Sequence, residues 1–398
     1  MIIMRRLSKF GWAGMLLLVV LAIGVFRYTR PLPPVQPVNE IISLPKTTAI
    51  TLPWPASGQA ALGAAGYGVL ETHNSASPQP VASIAKIITA LAVLKQKPLA
   101  AGSQGPTITL DATDVDYFNH YYSQDGSVVK VVAGEQISEY QALQAMLLPS
   151  ANNMADSLAR WAFGSTDSYV AYASKMVKGM GLSNTVVGDA SGFGDNTLST
   201  ADDLVKLGLA ALQDSSIADV VSQKTANVPQ AGDIKNVNYL LGSNGVVGIK
   251  TGNTDKAGGC YLFAAKRQIA GSKITLVGAV LGAKDLASAI SAVPPLLSAS
   301  DNGFQQVKVV SQNQTLAEFK APWGSTAQLR PSKDLSLLVW KGKTISVSND
   351  LRMVNSPLYT GSSAGLVKVS SNGQSASTPL LLSSNLPAPS WHWKIFRK

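Results

Sequence analysis

One cysteine, Cys260, among 398 residues excludes an intrachain disulfide and any cysteine-rich metal site. It reads as a small buried strand residue rather than a reactive thiol. Three histidines, His73, His120 and His392, lie scattered without paired spacing, so no metal site is expected. The chain shows neither an internal repeat nor a glycine-rich phosphate loop, and no cofactor is expected. Only 14% of residues are charged while 46% are hydrophobic, which argues against long disordered stretches. The length suggests two packed units rather than one core.

Acid is missing where base is concentrated. Residues 1–30 carry Arg5, Arg6, Lys9, Arg27 and Arg30 with no acid, and residues 391–398 carry Lys394, Arg397 and Lys398. Eight of the ten net positive charges are therefore terminal, and residues 31–390 hold 25 basic against 23 acidic residues. That balance leaves no footprint for a phosphate backbone, so no nucleic-acid partner is expected. The basic ends instead point to a membrane.

What is present begins with an apolar run, FGWAGMLLLVVLAIGVF at 10–26, behind Arg5, Arg6 and Lys9. Its length and flanking charge make it a membrane-targeting segment, with the remainder exported. Ala22 and Gly24 offer a weak cleavage site, but Arg27 and Arg30 follow at once, which favours an uncleaved signal anchor. Residues 1–30 are thus expected to be a cytoplasmic stub and anchor. Proline recurs too often through 31–57 for a helix or central strand, so a linker or stalk is expected there.

Residues 60–73 have strand-like spacing, and a helix is expected from about Ala82, with Ile84, Ile87, Ile88, Leu91 and Leu94 at helical intervals. Further helical patterns occupy 138–146, 153–162, 167–180 and 200–212, the last with Thr200 as a plausible cap. Runs 246–265 and 273–281 read as adjacent strands. Helices and strands mix without strict alternation, which points to an α+β fold: an antiparallel sheet flanked by helices. Past Asp301, short alternating runs such as FQQVKVV and TISVSND read as a small all-β domain. The expected organisation is a catalytic region over 58–300, a β-rich domain over 301–385 and an aromatic and basic tail over 386–398. The tail, SWHWKIFRK, suits either a membrane interface or a last strand.

Three motifs carry candidate chemistry. Ser83 and Lys86 form an S-x-x-K at a helix start, where a three-residue spacing puts hydroxyl and amine on one face. Lysine acts as a base only if its amine is partly neutral, which needs burial and a nearby cation, a part Lys250 can fill. Ser150 and Asn152 form an S-x-N before a helix. Serine there can relay a proton to a leaving amine, and the amide can bind substrate and position Lys86. Lys250, Thr251 and Gly252 close a strand, where cation and hydroxyl can hold a carboxylate and the glycine lets a peptide backbone approach. Taken singly, each motif also reads as an ordinary helix, cap or strand feature. Together, in order, with 67 residues from Ser83 to Ser150 and 100 from Ser150 to Lys250, they are highly specific.

The ordered triple resembles the signature of penicillin-binding proteins and serine β-lactamases. Within that superfamily the likeness is to the low-molecular-mass D-alanyl-D-alanine carboxypeptidases. It extends over about 58–298 through PVASIAKIITAL, GEQISEYQALQAMLLPSANNMADSLA, MGLSNTVVGDASGFGDNTLSTADDL and GIKTGNTDKAGGCYLFAAKR. The resemblance implies a β-lactamase/transpeptidase-like fold and an acyl-enzyme on Ser83, with Lys86 as base and a peptidoglycan stem peptide as substrate. It implies an oxyanion site between the N–H groups of Ser83 and Asn253, acylation by β-lactam antibiotics, and a catalytic domain outside the cytoplasm at the cell membrane.

The chain departs from many relatives in three places. Where related carboxypeptidases often place an arginine to help clamp the terminal carboxylate, LASAISAVPPLLSAS at 286–300 has no basic residue, and Lys284 is the near substitute. Isoleucine and alanine fill S-x-x-K, and asparagine stands at 253 where some relatives carry histidine. The β-lactamase alternative needs a deacylating glutamate beyond S-x-N, yet after Glu139 the next glutamate is Glu318. The remaining alternatives are an endopeptidase of crosslinked peptidoglycan and a silent wall-binding homologue.

Overall fold

The computed structural model describes residues 9–397. Arg5, Arg6 and Lys398 of the basic ends lie outside the described residues. The chain divides into two compact units: Thr48–Gln305 with Trp340–Gly342, and a second built from the chain up to Thr47, Gln306–Val339 and the chain from Lys343 on.

The first unit is α+β. Its sheet has five antiparallel strands: β1 (Gln59–Ala64), β2 (Gly68–His73), β3 (Val246–Thr254), β4 (Gly258–Ile269) and β5 (Ser272–Ala283), in the order β3-β4-β5-β1-β2. The stretch 60–73, which has the spacing of a strand, is in fact the hairpin of β1 and β2, turned through Gly66 and Gly68 at positive φ. β1 is buried along its whole length, so its alanines and glycine suit close packing on both faces.

The helices that place the site are α2 (Ala85–Gln96), α3 (Ala112–Tyr122), α4 (Glu139–Leu147), α5 (Asn152–Phe163), α6 (Thr166–Gly179) and α7 (Ala201–Ala211), numbered after the N-terminal α1 (Lys9–Thr29). Every residue of α2 from Ala85 to Leu94 is buried. Apart from Lys86 and Thr89 the buried positions are apolar, and the helix is central, packed against α5, α6 and α7. Each isoleucine and leucine it buries contributes about 1.5–3 kcal/mol of transfer free energy. Capping boxes start α3 with Asp111 and Asp114 and α4 with Ser138 and Gln141. The expected cap at Thr200 does not form: its hydroxyl is buried without a hydrogen bond. The carboxylate of Asp203 lies within α7 instead, where it accepts from the Asn184 N–H at 2.8 Å and binds Lys206 at 2.7 Å.

The second unit is mostly β. Its six-stranded sheet runs Pro37–Asn39, Ala317–Lys320, Thr326–Pro331, Gln374–Leu382, Ser363–Ser371 and Ser346–Leu351. This corrects the expectation of a free linker over 31–57, since Pro37–Asn39 pairs with Ala317–Phe319 and Val35 is buried and bridged to Val354. Proline is tolerated because that strand is at the sheet edge, where its missing N–H interrupts no ladder. The tail forms a short helix, Trp391–Phe396, not a last strand. Arg397 donates to the carbonyl of Pro31 at 3.1 Å, and Lys394 lies 4.8 Å from the Tyr28 ring. Within α1, Gly11–Thr29 has a mean hydropathy of 1.8 and none of it is buried.

One buried carboxyl in α4 is left without a hydrogen bond on either oxygen. Burial pushes Glu139 up to about 7, against the opposing pull of Lys97. Its folded value lies above its unfolded one, so its contribution is most favourable in acid and is lost as pH rises through about 7. Glu139→Gln is expected to raise Tm at alkaline pH and to leave it nearly unchanged in acid; thermal melts at both pH values check the difference.

Candidate active site

The site begins with a turn. Ala82–Ile84 form a single 3-10 turn ahead of α2, so Ser83 sits at its mouth while Lys86 lies inside the first α-helical turn. Ala82 is held at φ 48, a left-handed conformation that costs a residue with a Cβ on the order of 1 kcal/mol. The spacing of three brings the two side chains together as the sequence implies. Lys86 Nζ lies 2.9 Å from Ser83 Oγ.

Two further acceptors converge on that amine. Asn152 Oδ1, at the start of α5, accepts at 2.7 Å, and the carbonyl of Ser191 accepts at 2.7 Å. Lys86 is fully buried, and burial lowers it to about 7 against the opposing carboxylates of Asp189 and Asp156. A neutral amine has two N–H bonds and one lone pair. Asn152 Oδ1 and the Ser191 carbonyl only accept, so they take both N–H bonds. The lone pair is left facing Ser83 Oγ.

Lys250 and Thr251 are buried in β3. Burial lowers Lys86, as the sequence requires, and Lys250 is a second buried amine that repels it. Lys250 itself falls well below the ordinary lysine value, through burial and then repulsion by Lys86. Gly252 has a reason the motif does not disclose. A Cβ there would come within 2.9 Å of the Ser83 backbone nitrogen, so the glycine lets β3 lie against the nucleophile's own main chain. Ser150 is buried at φ 68, two residues before Asn152.

Ser83, Asn152 and Asn253 line one cleft of about 630 Å³, with Phe193 on its wall. Asp125, Asp195, Asp255 and Lys256 line it as well. The basic side chain lining this cleft is therefore Lys256, in place of the Lys284 expected from the sequence.

The loop after Asp189 is the part that motif reading left without a role, although DASGFGDN lies within the stretch that carries the family likeness. Lys86 and Thr89, on one face of α2, grip consecutive carbonyls of this loop, Ser191 and Ala190, with Thr89 donating at 2.6 Å. The Asp189 carboxylate accepts from the N–H groups of Gly192 and Gly194 at 2.9 and 3.0 Å and from Thr197 Oγ1 at 2.7 Å. Gly192 has φ 70, and a Cβ on it would fall 1.9 Å from the Ala82 carbonyl oxygen. Its positive-φ signal was available in the S-G-F-G run, but its contact was not. Among the described residues no cluster of ligands suited to a metal is present.

A hydroxyl facing a buried lysine amine, on an antiparallel sheet covered by helices, defines the class: a serine hydrolase with lysine in the place of the more common histidine. Residues 58–285 match the D-alanyl-D-alanine carboxypeptidase family, and the chain belongs to it, as a low-molecular-mass penicillin-binding protein. It is 24% identical over 318 residues to the D-alanyl-D-alanine carboxypeptidase DacF of Bacillus subtilis, covering 77% of this chain and 79% of that one. A D-alanyl-D-alanine endopeptidase of Haemophilus influenzae is 32% identical over 44% of this chain and 57% of its own. The crystal structure of penicillin binding protein 5 from Haemophilus influenzae matches with a TM-score of 0.59 over 87% of this chain and all of that one, at 21% identity, a likeness of fold.

Gly192→Ala is expected to destabilise the protein by about 2 kcal/mol or more, through both the left-handed backbone and the clash with Ala82. A melt showing Tm unchanged from wild type would refute the packing described for this loop.

Proposed function

We propose that this chain removes the terminal D-alanine of peptidoglycan stem peptides through an acyl-enzyme on Ser83, with Lys86 as the base. The observation that carries the reading is the partner set of Lys86: two pure acceptors consume its N–H bonds and the third contact is the nucleophile. The Ser83 proton passes to Lys86 Nζ as Oγ attacks the carbonyl between the two D-alanines. Negative charge then grows on the carbonyl oxygen, and the backbone N–H groups of Ser83 and Asn253 receive it. Gly252 supports that pairing by bringing β3 against Ser83. Donors preset in this way commonly lower such a barrier by about 3–4 kcal/mol.

Ser150 relays the proton held by Lys86 to the departing amine of D-alanine, which restores the neutral base, and water then attacks the ester, giving one proton back to Ser83 and releasing the shortened stem. Asn152 keeps its Oδ1 on Lys86, which leaves its Nδ2 donors for the stem peptide. Lys250 and Thr251 bind the terminal carboxylate, with Lys256 adding positive charge at the cleft. β-Lactams acylate the same serine. No glutamate lies between Glu139 and Glu318 to speed release by the β-lactamase route, so the penicilloyl ester is long-lived. The Gly11–Thr29 helix anchors the enzyme in the cell membrane with its catalytic unit outside the cytoplasm, and the Trp391–Phe396 helix meets the same surface.

Labelling with a fluorescent penicillin should mark wild type and not Ser83→Ala. In wild type the acylation rate should rise with pH up to about 7, where Lys86 loses its proton, and level off above it. Incubation with a stem pentapeptide followed by mass spectrometry should show loss of one alanine. Cleavage confined to crosslinked dimers would make the enzyme an endopeptidase instead.

A further inference from the structure

Behind Lys86 lies a polar chain that the reaction as described does not use. Asp156 stands on α5 one turn beyond Asn152, so the helix face that presents an acceptor to Lys86 also presents a carboxylate. Tyr121, the buried penultimate residue of α3, donates its hydroxyl proton to Asp156 Oδ2 at 2.7 Å. The same phenolic oxygen lies 3.4 Å from Ser191 Oγ, which also accepts from the Phe193 N–H at 3.1 Å. A phenol has one proton, and the carboxylate holds it. The Ser191 hydroxyl hydrogen is therefore the one directed at Tyr121. The chain has one direction, from Phe193 N–H through Ser191 and Tyr121 to Asp156. Its second member, Ser191, is the residue whose carbonyl accepts from Lys86.

We propose that Asp156, acting through Tyr121 and Ser191, is a positioning residue that keeps the Ser191 carbonyl on Lys86 and sets a fixed negative charge behind the amine. Two carboxylates then serve one loop: Asp189 binds its backbone directly, and Asp156 binds its serine side chain through the phenol. The Tyr121 ring also meets the Phe193 ring edge to face at 5.2 Å, which couples the polar chain to the cleft wall. A carboxylate is suited to this place because it opposes burial. Without negative charge nearby, an amine this buried would stay neutral and could not readily take up the Ser83 proton. The charged and titratable groups that face Asp156 are Lys86 on α2, His120 and Tyr117 on α3, and Asp189 on the loop. Arg160, on its own helix, is committed to Asp111 and Asp114. Burial is the largest influence on Asp156 and raises it to about 6, with the Tyr121 hydrogen bond acting in the opposite sense, so it is ionised where the enzyme acylates fastest.

This inference rests on Lys86 being the base, and the test separates the two. The second-order rate of acylation by a fluorescent penicillin is measured against pH for the full chain in detergent, as wild type, Asp156→Asn and Tyr121→Phe, with a melt of each. Asp156→Asn removes the charge at constant shape, so the acid limb is expected to move down by roughly half a pH unit or more. Tyr121→Phe frees Ser191 and leaves Asp156 easier to protonate. Its plateau is expected to fall by about tenfold, with a smaller downward shift of the limb. A wild-type profile without an acid limb overturns the assignment of Lys86 and this inference with it. A wild-type limb that neither variant moves, whatever happens to Tm, overturns the inference alone. Should Asp156→Asn fail to fold, the Tyr121→Phe profile decides in the same way.

Discussion

A lysine amine with no access to water is the constraint on which this structure turns. Placing Lys86 in a dry interior penalises its charged form, and the protein answers with three oxygen atoms from three separate parts of the chain. The 3-10 turn ahead of α2, the start of α5 and the loop after Asp189 must all arrive for the amine to be satisfied. α2 can carry such a group because it is enclosed on every side, with apolar residues filling the positions that a surface helix would leave to solvent. The hydrophobic core thereby does electrostatic work: its dryness sets the proton affinity of the base.

Backbone strain collects around the same point. Ala82 and Ser150 both occupy left-handed conformations that residues with side chains seldom adopt, and each immediately precedes a residue of the site or belongs to it. Gly192 takes a similar conformation against the Ala82 carbonyl, where no other residue has room. These positions are held by neighbours that overdetermine them: the strand β3 against Ser83, the Asp189 carboxylate on the loop, and Thr89 and Lys86 reaching from α2 to consecutive carbonyls. Strain kept in place by packing is what lets a serine at a helix entrance stay both exposed to the cleft and aligned with a buried base.

Much of this was legible beforehand. A spacing of three in S-x-x-K places serine and lysine on one face whatever the remainder of the fold does, and the helical and strand periods at 153–162, 167–180 and 273–281 emerge as α5, α6 and β5. The misreadings share a cause. Thr200 carries the chemistry of a cap, but its hydroxyl is buried away from the helix N–H groups it would serve. Pro37–Asn39 looks like linker because a three-residue edge strand has too little pattern to register, and its partner at Ala317 is far along the chain. Gly252 is not among them, but its packing against the Ser83 nitrogen likewise has no local signature.

The sequence by itself determined the reaction class and its principal residues, because nucleophile and base are neighbours on one helix and the other two motifs keep their order and spacing. Only the tertiary structure decided what makes those residues work. Burial lowers Lys86 and Lys250 alike; Ser191 supplies a carbonyl; Asp156 and Tyr121 stand behind it; and Lys256 lines the cleft that Lys284 does not. None of these has a local signature, since a carbonyl is common to every residue and a carboxylate acquires its meaning from what is packed around it. Short-range geometry is written in residue spacing, whereas dielectric and long-range contact exist only once distant segments have closed on one another.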